Sequence, residues 1–172
     1  KDLDTFADCA ARAICSAGGT PKDVVQIAYG YGLFTGGLGL HDGATRMGAA
    51  VVPISGGNTG NQLALMQDFG TTILACTPSY AMLLADELEA QGTDTSKLPL
   101  RIGIFGAEPW SLEMKAQLEK KLNIKAYDIY GLSEIMGPGV GSGCSSQDGL
   151  HIAEDHFYPE ILDPDTLLPV PD

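Results

Sequence analysis

The stretch Thr72-Ile73-Leu74-Ala75-Cys76-Thr77-Pro78 predicts a short buried strand that runs directly into a helix. Its unbroken apolar run is typical of a strand covered on both faces. Thr77 can cap the helix, and Pro78 suits the first helical position, where no backbone N–H is needed. Apolar residues then continue at helical spacing, at Tyr80, Leu84 and Leu88.

The same alternation of strand and helix extends in both directions from this stretch. Short apolar strands are predicted at Val24–Tyr29, Ala50–Ile54, Leu100–Phe105 and Lys125–Tyr130. Helices are predicted over residues 3–17, from the end of the glycine-rich segment Gly30–Gly39 to about Gly48, over 63–69, and after the cap Ser111. Five alternations imply a mostly parallel sheet covered on both faces.

After Gly131 the pattern changes. Glycines at every second position from Gly137 to Gly143 predict a flexible loop. Leu150–Ala153 and Tyr158–Asp163 predict two short strands that would form a hairpin or add to an edge of the sheet. The expected fold class is therefore α/β, with a mostly parallel sheet, helices on both faces and a small C-terminal β-hairpin. Residues 1–172 would form a single subdomain, because no repeat or linker interrupts them.

The charge composition of the chain limits the kinds of partner that it can bind. The chain has 172 residues, and 10 Lys plus Arg against 22 Asp plus Glu give a formal charge of −12. So few scattered cations disfavour binding to nucleic acid or to an anionic membrane. No apolar run approaches the roughly 20 residues of a membrane span, and residues 1–4 lack the basic start of a signal peptide. We therefore expect a cytoplasmic protein that binds neither nucleic acid nor a membrane.

Two turns begin where buried strands are predicted to end. In parallel sheets, ligands bind outside the carboxyl ends of the strands, so Gly106–Pro109 and Tyr130–Glu134 should face one cleft. Tyr130 could stack on a planar ring, Ser133 could donate to a phosphate oxygen, and Glu134 could hold Mg²⁺. The alternative for the second turn is an ordinary strand end with an exposed glutamate. No Walker A, G-x-S-x-G or H-E-x-x-H motif occurs in the sequence.

The glycine-rich loop Gly30–Gly37 follows the first predicted strand but does not match G-x-G-x-x-G. It could serve as a close-packed hinge. It could instead form one wall of a pocket, to which Tyr29, Tyr31 and Phe34 would present aromatic faces.

Cys144, His151 and His156 are spaced C-x6-H-x4-H. Such a cluster could bind Zn²⁺ if a fourth ligand or a water completed the site, although the spacing matches no strong zinc signature. The alternative is that both histidines make ordinary hydrogen bonds and that Cys144 stays free.

Four segments together resemble the phenylacetate-CoA ligase family of adenylate-forming enzymes, in the right order and over essentially the whole chain. They are Tyr29–Gly37, Gly103–Trp110, Asp128–Glu134 and Asp148–Phe157. The resemblance implies an enzyme that activates an aryl acid with ATP to an acyl-adenylate, releases pyrophosphate, and transfers the acyl group to coenzyme A with release of AMP. Mg²⁺ would assist, and the context would be aromatic-acid catabolism.

The resemblance also implies roles for individual residues. Around the nucleotide, Ala107, Glu108 and Pro109 would line the adenine site, Asp128 and Ile129 would contact the base, Tyr130 would stack on it with Gly131 beside it, and Ser133 would lie near the α-phosphate. Glu134 would be the Mg²⁺ ligand. Ser133 and Glu134 would together be the catalytic residues. The aryl-acid pocket would be lined by Tyr29, Phe34, Gly106 and Pro138.

Several features of the family are missing from residues 1–172. These are the Ser/Thr/Gly-rich phosphate loop, the ribose-binding aspartate, and the C-terminal domain with its catalytic lysine. We therefore expect a subdomain truncated at both ends, which would be inactive alone. The alternative is a non-catalytic nucleotide- or metal-binding α/β domain. The sequence is compatible with a homodimer.

Overall fold

The computed structural model describes residues 1–32 and 34–170. Leu33 of the glycine-rich loop and the terminal Pro171-Asp172 lie outside the described residues. The helices and strands, in chain order, are α1 Asp2–Ser16, β1 Val24–Ile27, α2 Thr35–Met47, β2 Ala50–Val52, α3 Thr59–Asp68, β3 Ile73–Cys76, α4 Pro78–Ala90, β4 Ile102–Gly106, α5 Leu112–Leu122, β5 Lys125–Leu132, β6 Gly137–Ser142 and β7 His151–Ile152. Short 3-10 turns occupy Thr95–Lys97 and Ser133–Ile135.

The seven strands form one sheet in the order β2-β1-β3-β4-β5-β6-β7. Strands β1 to β5 are parallel to one another, and β6 and β7 extend the sheet antiparallel. The predicted mostly parallel sheet is therefore confirmed. Pro53 follows β2 at the edge of the sheet, where a missing backbone N–H breaks no ladder.

Helices cover both faces of the sheet, as predicted. On one face α1 and α2 contribute Ile14 and Leu40 to a buried cluster with the strand residue Ile104. On the other face α3, α4 and α5 pack against the strands through a second cluster, whose helical members include Leu63, Leu84 and Leu118. None of the helices within 1–32 and 34–170 is both long enough and apolar enough to cross a bilayer.

The predicted helix caps of the parallel region are confirmed. The Thr77 hydroxyl accepts from the Tyr80 backbone N–H at the start of α4, and the Ser111 hydroxyl accepts from Met114 at the start of α5. Helix α2 begins earlier than predicted, at Thr35, so glycines assigned to a loop lie inside the helix.

The prediction of a flexible loop between Gly137 and Gly143 is wrong, because residues 137–142 form the buried strand β6. Its glycines allow close packing against α1: a Cβ at Gly139 would lie 2.7 Å from the carbonyl carbon of Cys9. Of the two predicted C-terminal strands, the first adds to the edge of the sheet, and the two do not pair as a hairpin with each other. Strand β7 pairs with β6, and the Tyr158–Asp163 segment makes only a single bridge, between Leu162 and Pro169.

Candidate functional site

The turns that follow β4 and β5 lie side by side. Gly106, the last residue of β4, pairs with Ile129 of β5 in the parallel ladder. A Cβ at Gly106 would lie 2.1 Å from the Ile129 carbonyl oxygen, so only glycine permits this approach. The two turns singled out in the sequence therefore open at the same edge of the sheet.

A groove of about 550 Å³ lies between these turns. Every residue that the family resemblance places at or beside the adenine lines this groove. Its wall consists of Gly106, Ala107, Glu108, Pro109, Trp110, Asp128, Ile129, Tyr130, Gly131, Leu132 and Leu150. Tyr130 is 49% exposed at this edge. The side chain of its neighbour Ile129 is buried between the sheet and the helices on one face. An exposed aromatic ring beside a groove can stack on a planar ligand.

A pocket of about 280 Å³ adjoins the groove. The two cavities share Ala107, Ile129, Gly131 and Leu132 as a common wall. Three of the four residues expected around an aryl acid line this pocket, namely Tyr29, Phe34 and Pro138. The fourth, Gly106, lines the groove instead.

The pocket is apolar on the side formed by Tyr29, which follows β1, by Phe34 and by the start of α2. The rings of Tyr29 and Phe34 lie with their centroids 5.9 Å apart. Tyr29 is buried, and burial raises the pKa of its phenol well above the ordinary value, so the ring stays neutral at physiological pH. Phe34 is partly exposed at the mouth. Such a wall fits a flat apolar group.

Ser133 and Glu134 lie in the 3-10 turn directly after β5, and both line the pocket. Both side chains are exposed to solvent. A solvent-exposed carboxylate is a suitable ligand for Mg²⁺, which prefers oxygen donors and retains several waters. The donor chemistry of Glu134 therefore fits the expected cation.

A β-bulge interrupts the pairing of β5 with β6 at this point, and its extra residues lie in β6. Tyr130 pairs with Gly141 of β6, but the next residue, Gly131, pairs with Pro138. A Cβ at Gly131 would lie 1.9 Å from the Gly137 carbonyl oxygen, so the strands approach closely just beyond the bulge. Bulges often redirect side chains next to functional sites. Here the shift in register brings Pro138 into the pocket wall.

One interaction at the site has no signal in the sequence. The Glu108 carboxylate accepts a hydrogen bond of 2.7 Å from the backbone N–H of Ser79, in the first turn of α4. Predicting this contact requires knowing that β3 and β4 are neighbours, which the apolar patterns do not specify. Ala107, between Gly106 and Glu108, has a left-handed backbone with φ of 68°.

The cluster of Cys144, His151 and His156 that could have bound Zn²⁺ is not formed. His151 Nε2 lies 3.0 Å from Cys144 Sγ, but His156 instead lies beside Asp155, with Nε2 3.4 Å from Oδ2. Within residues 1–32 and 34–170, no three His, Cys, Asp or Glu side chains converge on a point that could hold a metal ion. Hydrogen bonds from the Ser146 backbone N–H and from His151 lower the pKa of the Cys144 thiol.

Comparisons with known proteins agree with the fold and identify a family. The family described as "AMP-binding enzyme" matches residues 41–172. The phenylacetate-coenzyme A ligase of Pseudomonas putida is 56% identical over the whole of this chain, which covers 39% of that protein. The ligase of the same description from Escherichia coli K12 is 53% identical over the whole chain, which covers 40% of it. The chain thus spans about two fifths of the length of these curated relatives.

Solved structures show the same architecture. A 2-hydroxyisobutyryl-CoA ligase in complex with 2-HIB-AMP and CoA superposes with a TM-score of 0.91 and 26% identity, covering 99% of this chain and 38% of that one. A benzoate CoA ligase from Burkholderia xenovorans LB400 superposes with a TM-score of 0.78 and 18% identity, covering 99% of this chain and 35% of that one. The second likeness concerns the fold alone.

Proposed function

Because the chain belongs to the AMP-binding enzyme family, we propose that it is one α/β subdomain of a longer, AMP-forming aryl-acid CoA ligase whose acid is phenylacetate. The relatives that carry that description align with every residue of the chain. The chain covers only part of them, so the activity belongs to the full-length protein. ATP and coenzyme A are cytoplasmic metabolites, and the cytoplasm is therefore where we expect the enzyme to act.

The proposed reaction has two steps. The carboxylate of the acid attacks the α-phosphorus of ATP, which forms the acyl-adenylate and releases pyrophosphate. The thiol of coenzyme A then attacks the acyl carbon, which forms the thioester and releases AMP. Neither step needs a nucleophilic side chain. Positioning and electrostatic stabilisation would provide the rate enhancement.

One observation carries the proposal: two cavities of different character meet at a shared wall. The groove has the exposed Tyr130 ring and the open backbone of two turns, which suit a purine. The pocket has the buried Tyr29 and the partly exposed Phe34, which suit an aryl ring. An acid in the pocket and a nucleotide in the groove would bring the carboxylate and the α-phosphate together at the common wall.

Residues of the shared wall and the following turn would organise the reacting groups. The Ser133 hydroxyl would donate to an oxygen of the α-phosphate, and Glu134 would hold Mg²⁺. When bound, Mg²⁺ supplies positive charge that offsets the negative charges brought together in the first step. The apolar rings of Tyr29 and Phe34 would hold the aryl group and exclude water around it.

The test is an AMP-release assay on the full-length protein with ATP, Mg²⁺, CoA and a series of acids. We expect AMP release to require both acid and CoA, and phenylacetate to exceed hexanoate in kcat/KM by about tenfold or more, since an aryl-shaped pocket discriminates through packing. Without CoA, acid-dependent exchange of labelled pyrophosphate into ATP should persist.

The outcomes separate the two functions considered. No AMP with any of several aryl acids would contradict the ligase. Binding of ATP without turnover in that case would favour the non-catalytic nucleotide-binding alternative. Turnover that prefers hexanoate would retain the ligase chemistry and reject the aryl substrate class.

A further inference from the structure

Ala107 occupies an unusual position in both its surroundings and its backbone. It lines the groove, the pocket and a third, shallower depression bordered by Gly57 and Tyr80. Its φ of 68° lies in the left-handed region, which is unfavourable for a residue with a Cβ. Such a conformation persists only where the surrounding structure enforces it.

The chain is fixed on both sides of Ala107. Gly106 belongs to the β4 ladder, through its pairing with Ile129. On the other side, the Glu108 carboxylate accepts the 2.7 Å hydrogen bond from the Ser79 N–H. Ala107, the residue with the positive φ, lies between these two anchors.

The start of α4 is a favourable partner for this carboxylate. The first backbone N–H groups of a helix lack partners within the helix, and the helix dipole attracts negative charge there. The Thr77 hydroxyl accepts from Tyr80 in the same turn, at 3.3 Å, so Thr77 and Glu108 each satisfy one of these donors. The Glu108 carboxylate is thus engaged by the protein, although the residue borders the groove.

We propose that Glu108 is a positioning residue: by binding the first turn of α4, it holds Ala107 in the left-handed conformation and so fixes the wall between the nucleotide groove and the acid pocket. The inference rests on the proposed ligase function. It assigns Glu108 an indirect role, in which its carboxylate touches neither ATP nor the metal.

The test compares Glu108→Ala and Glu108→Gln in the full-length enzyme, with Glu113→Ala as the matched control in the first turn of α5. Glutamine keeps an oxygen that can accept from Ser79, whereas alanine removes it. We expect Glu108→Ala to raise KM for both ATP and acid by about tenfold, as the loss of a hydrogen bond to a charged group allows, and Glu108→Gln to stay within about threefold of wild type. Glu113→Ala should leave both constants unchanged.

A second substitution tests the backbone step directly. Glycine adopts positive φ without penalty, so Ala107→Gly should recover part of both KM losses when combined with Glu108→Ala. A Gln variant as defective as the Ala variant, with the Ser79 amide still protected from exchange, would overturn the proposal, because the charge would then act on nucleotide or metal and not on α4. A Glu108→Ala variant with a lower Tm and unchanged KM values would overturn it too, because the contact would then be only structural.

Amide hydrogen exchange separates failure of this inference from failure of the ligase function. We expect peptides that contain Ser79 to lose protection in Glu108→Ala and to keep it in Glu108→Gln, whether or not the protein turns over an aryl acid. Unchanged protection of these amides in Glu108→Ala would refute the proposal that Glu108 binds and orders the first turn of α4. Absence of AMP formation by the wild type, with protection lost as expected, would refute only the proposed reaction.

Discussion

The two ends of the parallel strands use polar residues in opposite ways. At the amino edge, the residues that precede β1, β3 and β4 form a closed cluster around the buried Asp23, which accepts from Thr20, Thr72 and Arg101. At the carboxyl edge, Ser133 and Glu134 are exposed and line a cavity. Satisfied, buried polar groups stabilise a fold, whereas accessible ones remain available to a ligand. The contrast implies that substitutions at the two edges will affect different measurements.

The largest expected effect is at the carboxyl edge. Substituting Glu134→Ala in the full-length protein should lower kcat by about 100-fold or more, because charge stabilisation at the transferring phosphoryl group would be lost. The Tm should hardly move, since exposed substitutions usually change stability by less than about 0.5 kcal/mol. AMP release at limiting Mg²⁺, together with thermal denaturation, measures both quantities.

The control for this substitution is Glu154→Ala, which removes an exposed glutamate that lines neither the groove nor the pocket. It should retain wild-type kcat. Unchanged turnover of Glu134→Ala at limiting Mg²⁺ would contradict the metal role. A large drop in Tm would weaken the distinction between the two edges.

At the amino edge the effect should appear in stability. The Asp23 side chain is 5% exposed, and its Oδ2 lies 2.6 Å from the Arg101 guanidinium. Asp23→Ala would remove the acceptor for that guanidinium and for two threonine hydroxyls. We expect a loss of about 2 kcal/mol, moderated because the half-exposed Arg101 can be rehydrated.

Native-state hydrogen exchange of the β1 and β3 amides in the full-length protein would measure this loss. The KM values for ATP and acid should stay at wild-type levels. Asp68→Ala, which removes an exposed aspartate at the end of α3, is the control and should leave exchange unchanged. Altered KM values with unchanged exchange in Asp23→Ala would reverse the assignment of the two edges.

Apolar runs and helix caps were enough to predict the five parallel strands and their helices. Thr77 and Ser111 show why: each cap is a local interaction within four residues, which the sequence displays directly. The adjacency of the turns at Gly106 and Gly131 was also predictable, because parallel strands place their carboxyl ends at one edge. The helices covering both faces follow from the same alternation.

The glycine-rich regions were harder to predict because glycine has two opposite meanings. It is common in flexible loops, and it is also required where two backbones approach closely. Gly139 belongs to the second class, since its neighbour is α1, more than a hundred positions away along the chain. The sequence around Gly139 does not indicate that this residue contacts α1. The local pattern therefore predicts a loop where strand β6 lies.

The candidate site likewise has features that the local sequence predicts and features that depend on distant parts of the chain. The residues expected around the adenine follow from strand ends and from family resemblance, and they line one groove. Ser133, expected near the α-phosphate, lines the adjoining pocket instead. The Glu108–Ser79 hydrogen bond depends on the order of β3 and β4 in the sheet, and the approach of Pro138 to the pocket depends on the bulge in the pairing of β5 with β6. The separation of His156 from Cys144 likewise depends on where the chain turns after β7.

The smallest expected effect is a pH dependence that sharpens the contrast between the edges. Burial by itself raises the pKa of Asp23, but hydrogen bonds from Thr72, Thr20 and Arg101 outweigh burial, and the pKa in the folded protein lies below the ordinary value of 3.8. The unfolded chain therefore binds a proton more readily than the folded protein. The stability contributed by Asp23 is complete above the ordinary pKa and is lost as the pH falls through the lower, folded-state value.

The matched variant for this prediction is Asp23→Asn, which keeps an acceptor oxygen but cannot titrate. The stability difference between wild type and Asp23→Asn should be constant above about pH 5 and should shrink toward about pH 3, by less than the loss expected for Asp23→Ala. Exposed carboxylates with lowered pKa values, such as Asp155 and Asp163, are present in both proteins, so their contributions cancel. Hydrogen exchange of the β1 amides at each pH would measure the difference. A difference that grew on acidification would mean that the folded state binds the proton more tightly, and the amino-edge cluster would then not stabilise the charged carboxylate.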